Sequence, residues 1–221
     1  LRYTVNNIIE NYSLLKINQG GALIGDGVVD LKGGSPAFEN GRICLNQTVA
    51  DFDLTKIVWN EGSSIIIGEN STYEIPDGFT IPANKKFQTD GLLIVKPDGT
   101  LNNDGYLTVN GTLTDNGTIN NNTGSTFTNN GTSNLNGIFY NNGVIANTNI
   151  LNLNAAGSLT LNNGNISLDG TFNWLVGGGL TIGPLSKMYL ANTLTIPASS
   201  TLNVDGLPHI NATCIITNYT G

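Results

Sequence analysis

Residues 101–124 read LNNDGY-LTVNGT-LTDNGT-INNNTG, and this stretch decides the fold. Leu101, Leu107, Leu113 and Ile119 recur every six residues, and Gly99, Gly105, Gly111 and Gly117 keep the same step. Beyond it, Gly124, Gly131, Gly137 and Gly143 follow at intervals of seven, seven, six and six. The unit is one turn and one very short strand. Asn-Gly and Asp-Gly supply the turns, since both tolerate positive φ. Between turns the period is two: Leu107 and Val109 point one way, Thr108 and Asn110 the other. Leu151/Leu153, Leu159/Leu161, Ile166/Leu168 and Phe172/Trp174 repeat the scheme. Such alternation marks strands with one buried face. No stretch keeps a 3.6-residue apolar period, so almost no helix is expected.

Working outward, two all-β architectures fit. Asn-Gly between alternating hydrophobics is a strong hairpin signal and allows a β-sandwich. Strands of only three to five residues, with turns at near-constant spacing, favour a parallel-β-helix-like β-solenoid, in which each coil stacks on the one before. The recurring pairs Asn102-Asn103, Asn129-Asn130, Asn141-Asn142 and Asn162-Asn163 agree with that. Stacked Asn side chains hydrogen-bond along a common axis, as in cross-β ladders. The expected organisation is an irregular β region or N-terminal cap over 1–98, Asn/Gly-rich solenoid repeats over 99–206, and a C-terminal strand over 207–221. Gly25 to Leu31 reads as an early coil, and Ile65 to Ile67 and Leu92 to Val95 keep β character.

Composition narrows the function. The 221 residues include 34 Asn, 28 Gly and only 11% charged residues, with a net charge of −7. An acidic chain with nine basic residues lacks the means to displace counterions from phosphates, which argues against nucleic acid as a partner. The longest nearly apolar run, Trp174 to Ile182, is too short to span a bilayer. The chain begins at Leu1, which suggests a processed product.

The phrase from Tyr73 to Ala83 (YEIPDGFTIPA), echoed by Leu194 to Leu202 (LTIPASSTL), and the Asn-Gly-Thr run at 110–119 resemble microbial cell-surface β-solenoid proteins. These are the adhesin and filamentous-haemagglutinin-like repeats. The resemblance covers roughly residues 73–205 and implies a solenoid that serves as spacer, adhesive surface or fibre outside the cell. It carries no catalytic residues.

Catalytic chemistry finds little support. Residues 99–186 contain no Lys, Arg or His, and their only carboxylates are Asp104, Asp115 and Asp169, all read as turn residues. Polysaccharide hydrolysis needs two carboxylates about 5–10 Å apart. The pairs Asp26/Asp30 and Asp51/Asp53 are the nearest candidates, but paired surface carboxylates are usually just solvated. His209, the single histidine, reads as a loop residue. No nucleophile elbow and no phosphate loop is present. The expectation is no enzyme, no cofactor, no catalytic residue and no metal site.

The two cysteines, Cys44 and Cys214, are expected to form one disulfide in an extracellular setting. Ten Asn-x-Ser/Thr sequons occur. Those at Asn110, Asn116 and Asn130 are explained as turns. Asn11, Asn46, Asn70, Asn211 and Asn218 are the better glycosylation candidates. The leading functional expectation is a secreted structural protein at the cell surface, a filament or stalk subunit that joins to itself head to tail. A carbohydrate- or surface-binding adhesin module, with glycans or a host surface as partner, is the alternative. An ice-binding solenoid and a polysaccharide lyase stand further back, since the Thr-x-Thr motifs at 112–114, 126–128 and 193–195 are irregularly spaced.

Overall fold

The computed structural model describes residues 57–60 and 62–205, the backbone of 8–11, 14–18, 28–31, 42–46, 209–210 and 216–218, and the side chains of 43–45. Its described residues contain strands and turns and no helix. The chain winds as a three-sided parallel β-solenoid of about eight coils.

The longest face holds β2 (Leu14–Asn18), β4 (Arg42–Asn46), β6 (Ser64–Ile67), β9 (Lys86–Thr89), β12 (Tyr106–Val109), β15 (Thr126–Asn129), β18 (Val144–Asn147), β21 (Asn165–Leu168), β24 (Lys187–Leu190) and β27 (His209–Ile210). The second face holds β7 (Thr72–Ile75), β10 (Leu92–Val95), β13 (Thr112–Asp115), β16 (Thr132–Leu135), β19 (Ile150–Leu153) and β22 (Thr171–Trp174). The third holds β8 (Phe79–Ile81), β11 (Thr100–Asn103), β14 (Thr118–Asn121), β17 (Ile138–Asn141), β20 (Ser158–Leu161), β23 (Gly179–Ile182) and β26 (Thr201–Val204). Near the start, β1 (Ile8–Asn11), β3 (Val28–Leu31) and β5 (Ile57–Trp59) form a separate sheet; near the end, β25 (Leu194–Ile196) pairs with β28 (Ile216–Asn218). Strands β6 to β10, which precede the composition change at Gly99, lie in the same three sheets as those that follow.

The six- to seven-residue sequence unit is therefore one side of the solenoid, and three units close one coil. From β4 onward pairing registers give coils of 18 to 22 residues: Tyr106 pairs with Thr126, Thr126 with Val144, Asn165 with Lys187; before it Leu14 pairs with Arg42, a step of 28. Every strand pair described is parallel, which excludes the hairpin sandwich. The Asn-Gly turns bend the chain round a corner instead of reversing it, because the coil beneath takes up their backbone donors. Asn110 N and Gly111 N both donate to Thr89 O, at 2.8 and 3.0 Å.

The glycines of these turns have a different cause from the one expected. Positive φ among the described glycines occurs at Gly62, Gly78, Gly124 and Gly177, and not at the Asn-Gly corners. At Gly131 an added Cβ would collide with the carbonyl oxygen of Gly111, and at Gly111 with that of Gly91. Close stacking leaves no room for a side chain at Gly111 and Gly131, while Asn149 holds the equivalent corner one coil further on.

The interior is a stack of apolar columns. Along the longest face Ile43, Ile65, Phe87, Leu107, Phe127, Ile145, Ile166 and Met188 stand one above another, each at most 1% exposed. Burial of each such side chain stabilises by about 1.5–3 kcal/mol. Phe127 and Phe139, on different faces of one coil, meet edge to face at 5.3 Å across the narrow core.

Candidate functional surface

Polar side chains organise the corners and the outer walls. At the corner after the third face, Asn103 Nδ2 donates to Asn121 Oδ1 at 2.7 Å, and Asn121 Nδ2 to Asn141 Oδ1 at 2.7 Å. At the corner after the longest face, Asn129 Nδ2 donates to Asn147 Oδ1 at 2.6 Å. All five asparagines are fully buried. Each amide also reaches a backbone carbonyl of the next coil or of its own turn, as Asn121 Nδ2 does at Val144 O and Asn147 Nδ2 at Asn149 O. The expectation that paired asparagines stack along the axis thus holds for Asn103, Asn129 and Asn141. In each of these three pairs one member stacks inside and the other lies outside, whereas Asn162 and Asn163 are both exposed and Leu161 takes the inner place.

Outer columns repeat the chemistry in contact with solvent. Asn110 Nδ2 donates to Asp90 Oδ1, Asn130 Nδ2 to Asn110 Oδ1, and Thr148 Oγ1 to Asn130 Oδ1. Asn154, Asn136 and Asn116 form a second column, and Asn173, Asn152 and Asn134 a third. The walls between residues 99 and 186 accordingly present amides, hydroxyls and the exposed rings of Tyr106 and Tyr140, without a basic group. The ion pair Lys96–Glu74, at 2.5 Å, sits outside this band and is exposed.

The three carboxylates of the repeat region separate. Asp104 accepts from Asn122 Nδ2 at 2.7 Å, and Asp169 from Ser167 Oγ at 3.0 Å, both in turns. Asp115 is not a turn residue. It ends β13, fully buried, in a corner column between Val95 and Leu135. Its Oδ1 accepts from Gly117 N at 3.1 Å, while Oδ2 has no partner. Burial pushes its pKa up to about 7, against the opposing pull of the Gly117 hydrogen bond. The sequence hid this because Asp before Asn-Gly is ordinary turn chemistry. The register, two residues after buried Leu113, was the available signal.

Among the described residues no three His, Cys, Asp or Glu side chains come together as a metal site. Asp30 lies on β3, while Asp26, Asp51 and Asp53 are outside the described residues. His209 falls on β27 opposite Lys187, not in a loop. Thr112 and Thr114 belong to the second face, Thr126 and Thr128 to the longest, so the Thr-x-Thr motifs do not line up on one wall.

Cys44 is half-buried on β4 between the core residues Ile43 and Leu45; Cys214 lies outside the described residues. Asn70 is exposed in the turn between β6 and β7. Asn11, Asn46 and Asn218 lie on β1, β4 and β28, and Asn211 lies outside the described residues. By contrast, the sequon at Asn121 is enclosed in the buried ladder. No family model, curated protein or solved structure matches this chain.

Proposed function

We propose that this chain is a structural protein of the cell exterior, a subunit of an extracellular filament or surface stalk that joins to itself head to tail. The observation that supports this reading best is the axial continuity of the coil stack. Parallel ladders and asparagine columns run from coil to coil in one direction, so the two ends of the solenoid are different. Contacts between unlike ends do not close on themselves, and they propagate. The terminal strands favour end-on stacking over strand donation, since β1 and β2 pair with β3 and β4, and β27 and β28 with β24 and β25, of the same chain. The extracellular setting rests on the low charge, the exposed sequon at Asn70 and the pair of cysteines.

Light scattering of the full chain over a concentration series, with electron microscopy of the same samples, tests the proposal. Rods that lengthen with concentration are expected. A chain that stays monomeric at high concentration, with no fibres in native specimens, sinks it. The adhesin module then takes its place, a reading favoured by the exposed tyrosines on uncharged walls.

A further inference from the structure

The second face breaks at one point, between β22 and β25. Successive turns from the longest face to the second, Asp90-Gly91, Asn110-Gly111, Asn130-Gly131, Thr148-Asn149 and Asp169-Gly170, have two residues. The passage from β24 to β25 keeps the same spacing, since Leu168 to Phe172 and Leu190 to Leu194 are both four residues apart, but Thr193, at the place of Thr171, belongs to no strand. The ladder holds as far as Ala191 N, which donates to Leu168 O at 3.1 Å. Beyond it β25 does not ladder with β22, which is left as the edge of its sheet. Ser200 closes the far end, where its Oγ accepts from Gly177 N and donates to Leu175 O, both at 3.1 Å.

Between these two ties lies a cavity of about 300 Å³, near the lower limit for small-molecule pockets. Leu168, Leu190 and Leu194 make one part of its lining apolar, and Thr171, Asn192 and Thr193 bring hydroxyls and an amide. Phe172 also lines it. Phe172 takes an inward position on β22 yet stays half-buried, unlike Phe127 and Phe139, because the coil above is lifted away. Thr171 N and Leu175 N donate to the coil below, at Asn149 O and Leu153 O. Alternate residues of a parallel strand address opposite neighbours. The N–H and C=O of Phe172 are therefore directed at the slit. No charged side chain lines it.

A partly open aromatic ring, hydroxyls on either lip, an unladdered peptide group and no charge suit one ligand class. We propose that the slit between β22 and β25 binds a neutral sugar ring, its C–H face on Phe172 and its hydroxyls on the Phe172 backbone, Thr171, Asn192 and Thr193. This site stands apart from polymerisation, and it gives the solenoid a recognition function whether or not the chain assembles.

The test is NMR titration of the full ¹⁵N-labelled chain with glucose, galactose, mannose and N-acetylglucosamine. At least one sugar is expected to give saturable shifts confined to amides of residues 168–175 and 190–196, with the weak affinity of a small ligand. The double variant Thr171→Val with Thr193→Val should weaken binding about tenfold without lowering the melting temperature. The proposal is overturned if no sugar shifts these amides, if the shifts spread over the walls, or if the double variant binds as well as the parent. Binding of an apolar probe such as benzene, without any sugar, would also overturn it.

Discussion

Asn121 and Asn141 lie one coil apart on the solenoid axis, fully buried, with Nδ2 of the first donating to Oδ1 of the second at 2.7 Å. Asn121 is bonded on every side. Its Oδ1 accepts from Asn103 Nδ2 and Ser125 Oγ, and its Nδ2 also reaches Val144 O. Asn121→Ala leaves several of these buried groups without partners, and a loss of roughly 2–4 kcal/mol is expected. Asn120 supplies the control from the adjacent position. Its Nδ2 bonds to Asn102 Oδ1 on the outer wall, where water substitutes, so Asn120→Ala should lose about 1 kcal/mol or less. Chemical denaturation of the two variants checks the contrast.

Asp115 sets a pH dependence of unusual sign. Its carboxyl stays protonated in the folded chain up to about pH 7, while in the unfolded chain it ionises near its ordinary value of 3.8. Across that window this group keeps its proton in the folded state and loses it in the unfolded state, so its contribution to stability is greatest below about pH 4 and falls as pH rises to about 7. The three-unit difference corresponds to at most about 4 kcal/mol. Asp115→Asn keeps an acceptor for Gly117 N without the charge. Its melting temperature should exceed that of the parent above pH 7, and the slope between pH 4 and 7 should flatten. An unchanged slope would refute the assignment to Asp115.

Gly131→Ala forces a methyl group against the carbonyl oxygen of Gly111. The backbone beneath has little freedom to retreat, so a loss of about 1–3 kcal/mol is expected. At Gly124 an added Cβ meets nothing, and the φ of +86° is the sole obstacle. Gly124→Asn, which tolerates that conformation, should be much milder than Gly131→Asn. Thermal melts of the three variants separate the two causes.

The disulfide between Cys44 and Cys214 remains a proposal with a direct assay. Thiol titration of the unfolded, unreduced protein should find no free thiol, and two would refute it. A loop of about 170 residues stabilises by up to about 5 kcal/mol on chain-entropy arithmetic, so reduction should lower the denaturation midpoint markedly.

Much of the architecture is legible in the sequence because each strand buries alternate residues. The pairs Leu107/Val109 and Leu159/Leu161 give the strands and their inner face directly. The six-residue step does not say how many sides close a coil, since that depends on pairing between residues 18 to 22 apart. Asn102 and Asn103 are chemically identical in the sequence, and their fates differ because only one faces inward. The slit is harder still to read. Leu190 to Ile196 keeps the spacing and alternation of Leu168 to Trp174, so the sequence does not mark where the ladder between β22 and β25 is lost.

The coil length has a further consequence for reach. Each coil of 18 to 22 residues raises the stack by one strand spacing, about 4.8 Å. That is about a quarter of an ångström per residue, against 1.5 Å in a helix. A chain wound this way is a poor tether and a good strut. Its residues go into girth, three bonded walls that brace one another against bending, and any great length must come from the number of coils joined end to end.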